Sequence, residues 1–198
     1  VLVASKIIFR LEASAQIVAP VQSKDASAAS LVVLGQGVLT TPLTQFVDQS
    51  SIGGGAGGPM RTIGYAGLMV NDRVDVRAYK DATGKLVATR VERTDPDPLL
   101  IAKGAVDAKA PVAKLTLLGI DVATGAATRY RDALGNLIAD VAFYGQVQVP
   151  PAVATIVRAQ GVASTTSAGT IDSTRTASTR GEVEIAVVGK YITLRDAY

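Results

Sequence analysis

Few residues in this chain could carry out chemistry, and the glycine-rich stretch SSIGGGAGGPM is the first candidate. It places Gly53, Gly55 and Gly58 at the G-x-G-x-x-G spacing of dinucleotide-binding loops. In such a loop a strand precedes the glycines, and a helix follows whose N-terminus meets the pyrophosphate. Here Pro59 and the strand-like RTIGYAG follow instead. We therefore interpret the stretch as an insertion between strands and predict no cofactor site.

A pair of carboxylates, Asp95 and Asp97 in RTDPDPLL, is the second candidate. Two nearby acids could support acid–base chemistry or bind calcium. Prolines alternate with them, which favours a stiff, extended backbone, and no third acidic ligand follows at EF-hand spacing. We interpret residues 94–99 as a linker between two units and predict no metal site.

The chain contains no Cys and no His. Thiolate and imidazole metal ligands, cysteine nucleophiles and Ser-His-Asp triads are therefore excluded. No Ser-Lys or paired-acid arrangement recurs along the chain either. We predict that the protein has no catalytic residues and is not an enzyme.

Basic residues are scattered along the chain, and the net charge is only +3. Arg77, Arg90, Arg93 and Arg158 could form a basic strip for a polyanion, because OB-like barrels often bind chains across one face. However, three Phe and six Tyr supply few aromatic platforms for stacking. We interpret these arginines as the solvated outward faces of strands and expect no nucleic-acid partner.

The elements that must position these residues are arranged as a repeat. Residues 2–48 align with residues 86–132 without a gap at a shift of 84, and the identical pairs include Leu31/Leu115, Leu34/Leu118 and Gly35/Gly119. Short apolar runs, alternating stretches such as RVDVRAY and the turn residues DATG are typical of β-strands and hairpins. A short segment near residues 42–47 is the one candidate for a helix.

This pattern predicts an all-β fold with two tandem small OB-like β-barrels or sandwiches and an extra strand at each end. The predicted units are residues 16–93 and 100–178. Residues 1–10 match the closing strand of a unit, and residues 182–198 lie where the first strand of a further unit would begin.

The sequences LTLLGIDV, VNDRVDV and GKLVATRVE resemble a bacterial family known only as a domain of unknown function. Asn71 stands where that family usually has Gly, and the second unit matches both later motifs poorly. The resemblance covers both units. It implies a β-barrel and export, often with a lipid anchor and commonly in tandem, but it brings no active site.

The unpaired strand at residues 1–10 leads to a functional hypothesis. Its backbone groups need a sheet edge, and the strand GTIDSTRTAS of the second unit is a weak occupant of its own place. We expect residues 1–10 to pair with residues 183–198 of a neighbouring copy, which would extend head to tail into a fibre. The expected interface residues are Leu2, Val3, Ala4, Ser5, Ile7, Phe9, Val183, Ile185, Val187 and Tyr191.

The predicted function is thus a structural subunit of a secreted, extracellular or cell-surface assembly, whose partners are copies of itself. The alternative is an exported module that binds a polysaccharide or another polyanion within a longer array of repeats. No apolar run has the length of a transmembrane segment.

Deleting residues 1–10 tests the fibre hypothesis. Polymers should disappear in negative-stain images and in light scattering, because the donated strand is gone, while circular dichroism should still report folded barrels. A full-length chain that is strictly monomeric at micromolar concentration would contradict the hypothesis.

Overall fold

The computed structural model describes residues 14–51, 61–111, 113–165, 169–173 and 184–190; in the last segment Ile185 is the one residue whose side chain is described. The strands are β1 (Ala15–Asp25), β2 (Ser30–Val33), β3 (Gln36–Leu39), β4 (Gln45–Asp48), β5 (Arg61–Thr62), β6 (Arg73–Lys80), β7 (Leu86–Thr94), β8 (Leu100–Ala110), β9 (Lys114–Leu117), β10 (Ile120–Ala123), β11 (Arg129–Arg131), β12 (Leu137–Ile138), β13 (Thr155–Ala163), β14 (Ile171–Asp172) and β15 (Glu184–Lys190). A 3₁₀ helix spans Tyr65–Gly67, and helix α1 spans Asp140–Gln146. The all-β prediction is confirmed.

Five strands of the first unit close into a barrel. β1 pairs with β2, β2 with β3, β7 with β6, and β6 with β1, all antiparallel, while β3 and β7 are parallel. This order, with its single parallel pair, follows the OB-like arrangement that the sequence predicts. Alternate residues of the strands fill the interior, among them Ile17, Val76 and Val91, each at most 1% exposed.

The second unit repeats these pairings, but its closing strand is in two pieces. β14 lies parallel to β10, as β7 does to β3, and β15 lies parallel to β11 and antiparallel to β13. Residues 184–190 therefore complete the second unit. This corrects our expectation that the tail begins a further unit: its only described side chain, Ile185, is fully buried in the core and belongs to this barrel.

Two smaller expectations also change. Residues 45–48, part of the candidate helical segment, form β4, which pairs with β7. Conversely, α1 was missed, because its seven residues are too few to establish a helical period.

The repeat needs a one-residue correction in its first strand. β1 has a bulge after Val21, and β8 has the same bulge after Val106, so equivalent residues of these two strands are 85 positions apart. The Leu-Gly turns at residues 34–35 and 118–119 are only 84 positions apart. The loop between the strand and the turn is one residue shorter in the second unit. Because side chains alternate between faces, this slip decides which residues point inward. Buried Ile17 thus corresponds to buried Ala102, not to Ile101.

The two units join through the first halves of β1 and β8. Gln16, Ile17 and Val18 pair antiparallel with Lys103, Ala102 and Ile101, in that order. Since Ile17 and Ala102 are repeat equivalents, the pairing has local twofold pseudosymmetry. The buried residues of both units form one hydrophobic cluster.

Each barrel holds its helix with a lysine from its first strand. The Lys24 ammonium donates to the carbonyl oxygens of Tyr65, at 2.9 Å, and of Leu68. In the second unit, Lys109 donates to the carbonyl oxygens of Tyr144 and Val147, at 2.8 and 2.6 Å. At the end of α1 such carbonyl groups lack partners within the helix, so the lysine satisfies them. In the 3₁₀ helix the Tyr65 carbonyl oxygen also accepts from the backbone N–H of Leu68.

Gly161 allows β13 to approach the two-residue strand β14. A Cβ at this position would lie 2.5 Å from the carbonyl oxygen of Asp172, which is a backbone atom and cannot move alone. We expect Gly161→Ala to lower the free energy of unfolding by about 2 kcal/mol in a denaturant titration. Gly145→Ala is the control, because a Cβ there meets nothing within 4 Å and alanine favours the helix. Equal effects of the two substitutions would contradict this packing.

Candidate functional site

The acidic residues that could have formed a site act instead as local caps. The Asp95 carboxylate accepts hydrogen bonds from the backbone N–H and hydroxyl of Ser51, both at 2.6 Å. Asp97 accepts from the backbone N–H of Leu99 at 2.7 Å. No group of acidic residues within the described part of the chain is arranged to hold a metal ion. The glycine-rich loop with Gly53, Gly55 and Gly58 lies outside the described residues.

Arg93 is a structural residue and does not join a basic strip. Its guanidinium binds both carboxylate oxygens of Asp48, through Nε at 3.0 Å and through Nη2, and its Nη1 lies 3.4 Å from Asp72. Asp48 and Arg93 are largely buried, with side chains 3% and 14% exposed. The hydrogen bond from Arg93 holds the pKa of Asp48 well below its usual range. This cluster ties β4 and β7 to the start of β6.

The other three arginines lie together on the outer face of the continuous sheet. Arg90 on β7 is opposite Arg77 on β6, which is opposite Gln16 on β1. Gln16 is opposite Lys103 on β8, which is opposite Arg158 on β13. We call these five residues the cationic row. It crosses five adjacent strands and therefore spans about 19 Å, with contributions from both units.

The cationic row is partly paired and partly open. Arg90 binds Glu92 on its own strand, at 2.6 Å, and Arg158 donates to the amide oxygen of Gln160 at 2.9 Å. Arg77 is exposed and Lys103 is half-buried. Among the described residues, neither Arg77 nor Lys103 takes part in an ion pair. These two cations flank the junction of the barrels.

Two further rows lie beside the cationic row, each two residues along the strands except at Val87, which is three residues from Arg90 because of a bulge in β7. On one side is the acidic row, which consists of Glu92, Asp75, Val18, Ile101 and Gln160. On the other side is the apolar row, which consists of Val87, Tyr79, Ala105 and Ile156. A ligand on the cationic row would therefore meet two carboxylates beside Arg90 and Arg77, uncharged residues along the rest of that flank, and apolar groups along the other flank.

Asp75 is one of the two carboxylates of the acidic row. One of its oxygens accepts a hydrogen bond from the Gln16 amide at 2.8 Å, and the other oxygen is buried without a described partner. Burial raises the pKa of Asp75. The side chain connects the two rows, since Gln16 belongs to the cationic row.

The sequence pointed to three of the four cations, Arg77, Arg90 and Arg158, but not to Lys103. Arg158 lies opposite Lys103, and in the first unit Asp75 lies opposite Val18. The repeat equivalents of Lys103 and Arg158 are therefore Val18 and Asp75. The signal for the row is the register between β1 and β8, which no local motif encodes.

Most of the predicted strand-addition residues lie outside the described residues: Leu2, Val3, Ala4, Ser5, Ile7, Phe9, Val183 and Tyr191. Ile185 and Val187 lie in β15, where Ile185 pairs with Ala159 of β13 and Tyr130 of β11, and Val187 pairs with Val157. The backbone of β15 thus has strand neighbours on both sides over residues 185 and 186.

The Arg93 cluster predicts a pH-dependent stability. We expect Asp48→Asn to lower the free energy of unfolding by about 2 kcal/mol at pH 7, because a buried charged hydrogen bond is lost and Arg93 loses its main partner. The pKa of Asp48 is lowered by folding, so its contribution is complete above the ordinary carboxyl pKa and declines as the pH falls toward the lowered one. The difference between wild type and variant should therefore shrink below about pH 4.

Asp97→Asn is the matched control, because Asp97 is exposed and an asparagine oxygen can still accept from Leu99. Its effect should stay below about 0.5 kcal/mol. Denaturant titrations between pH 3 and pH 7 make the measurement. An Asp48→Asn difference that grows on acidification would contradict the assignment.

Comparison with known proteins identifies a domain in one part of the chain. Neither described helix is long and apolar enough to cross a membrane. No curated protein and no solved structure matches the chain. Residues 18–92, which run from within β1 to within β7 and so cover most of the first barrel, contain a DUF5666 domain, described as a domain of unknown function.

Proposed function

We propose that this protein is a non-enzymatic binding module that holds a linear polyanion across the junction of its two barrels. The supporting observation is the cationic row, in which Arg90 and Arg77 on one side of Gln16, and Lys103 and Arg158 on the other, lie in register on five adjacent strands. Neither barrel alone carries the row. The row runs across the strands of both barrels as one extended line, which suits a chain and not a compact ligand.

Electrostatics supports this reading of the face. Like charges on neighbouring strands repel one another, and an anionic chain along the row relieves that repulsion at several points at once. Arg77 and Lys103 gain most, because no described carboxylate pairs with them. We include export to the cell surface or beyond in the proposal, as the resemblance implies.

Head-to-tail strand addition stays a prediction, and the described part of the chain favours it less. Its proposed acceptor, β15, already pairs with β13 and β11, so a donated strand would have to displace one of them. Its donor, residues 1–10, lies outside the described residues. The binding proposal needs neither rearrangement.

A charge-neutralising double variant tests the binding proposal. Arg77→Gln with Lys103→Gln removes the two open cations, and we expect about tenfold weaker binding of polygalacturonate, dextran sulfate or polyphosphate at low salt. Titration calorimetry on the full chain measures the affinity. Binding by the wild type should weaken as salt is added, because exposed charges are screened.

The matched control is Lys80→Gln with Lys114→Gln. It removes the same net charge from two exposed lysines outside the row, each of which pairs with a carboxylate. We expect a change of about twofold or less. The proposal fails if no polyanion binds the wild type, or if both double variants lose affinity equally.

A further inference from the structure

The rows beside the cationic row restrict the kind of polyanion, and this inference rests on the proposed function. We propose that the ligand is a single chain of a linear acidic polysaccharide, lying across the strands with the apolar side of its sugar rings toward Tyr79. Three features of the face carry this assignment: its acidic flank, its apolar flank and the neutral residue in its centre.

The acidic flank limits the ligand to one file of anionic groups. Glu92 and Asp75 are opposite each other on β7 and β6, about 7 Å along the strands from Arg90 and Arg77. A second file of anions on that side would face these carboxylates. A nucleic-acid duplex carries two phosphate backbones and so fits the face poorly, whereas a single chain can keep its charges over the cations.

The apolar flank offers contact to a ligand that has carbon-bound surface as well as charge. Tyr79 is 37% exposed and lies two residues from Arg77 on β6, so its ring stands beside the most open cation. Val87, opposite Tyr79, is only 7% exposed, so the accessible apolar groups are Tyr79 and, further along the row, the half-buried Ala105 and Ile156. A tyrosine presents an apolar body with a polar tip, which suits a sugar ring. Polyphosphate has no carbon-bound surface that could contact the Tyr79 ring.

The centre of the cationic row is an amide, not a charge. Gln16 lies between Arg77 and Lys103, and its nitrogen already donates to Asp75. That bond leaves the amide oxygen to accept from a ligand. A hydroxyl group between two anionic groups supplies such a donor, as in a chain of uronate sugars, whereas an ionised polyphosphate chain has no donor.

Single-stranded nucleic acid is the other single-file polyanion, and this face favours it less. Such chains bind through successive bases that stack on successive aromatic side chains. Among the described residues of the three rows, Tyr79 is the one aromatic residue. One platform cannot hold a series of bases, but it can hold one sugar ring beside the charges.

The experiment compares polygalacturonate, polyphosphate and a DNA duplex on the full chain by titration calorimetry. We expect polygalacturonate to bind most tightly of the three. Tyr79→Ala should weaken its binding about fivefold and leave polyphosphate within about twofold, because only the sugar contacts the ring. Tyr79→Phe should keep wild-type affinity, and Leu43→Ala, an exposed apolar residue 69% accessible, controls for the loss of apolar surface elsewhere.

A second variant tests the acidic flank. Asp75→Asn keeps an oxygen that can accept from Gln16 but removes a charge, so the preference for polygalacturonate over the duplex should fall about threefold or more. The thermal unfolding midpoint of every variant establishes that it is folded. If polyphosphate or the duplex binds as tightly as polygalacturonate, or if Tyr79→Ala weakens all ligands equally, the polysaccharide assignment is overturned while the polyanion proposal stands. If no ligand binds, the proposed function itself fails.

Discussion

The antiparallel pairing of residues 16–18 with residues 101–103 is the constraint on which the rest of the structure depends. The first half of β1 pairs with β6, and its second half pairs with β2. In the second barrel the first half of β8 pairs with β13, and its second half pairs with β9. One edge of the first half is therefore left without a partner inside its own barrel. Backbone groups on such an edge need hydrogen bonds, and the two units satisfy each other.

This pairing also sets the register of the outer face. Once Ile17 is opposite Ala102, Gln16 must be opposite Lys103, and the residues on β6 and β13 follow. A one-residue shift in this register would exchange the inward and outward faces of a strand, and the cations would no longer lie in one row. The buried pair Ile17 and Ala102 prevents such a shift, because any slip would expose one of them to water.

Because the two units are related by pseudosymmetry, equivalent residues can be compared directly. Both keep a lysine that binds the end of a helix, and both keep a threonine, Thr44 or Thr128, that donates to the closing strand at 2.7 or 3.0 Å. The outer face differs: the equivalents of Lys103 and Arg158 are Val18 and Asp75. The pseudosymmetry of the backbone makes the cationic row and the acidic row equivalent positions. Only their side chains differ, since one row is basic and the other carries acidic and apolar residues.

The sequence could predict the type of each element better than its neighbours in space. The strands around Leu34-Gly35 and Leu118-Gly119 could be predicted because they are short, apolar and repeated. In the structure φ is positive at all four of these residues, as a tight two-residue turn requires. Asn71 also has a positive φ of 73°, a backbone conformation that favours glycine. These are local constraints.

What the sequence could not predict depends on long-range pairing. The missing residue between β8 and β9 changes the face of every residue in β8, yet it leaves a gapless alignment that looks correct around it. β15 belongs to the second barrel because β11 and β13 hold it, and nothing within its seven residues says so. Lys103 could be recognised as a functional candidate only once the register of β8 with β1 and β13 was known.

The same residue type serves two purposes on this protein, and burial decides between them. Arg93 is 14% exposed and bound to Asp48 on both oxygens, so its charge is used inside the fold. Arg77 is exposed and lies opposite Arg90, which also binds Glu92, so the repulsion between the two arginines is reduced but not removed. That repulsion disfavours the folded state slightly. An anionic chain on the row would remove it, so binding and stability should rise together, as linkage requires of any ligand that binds only the folded protein.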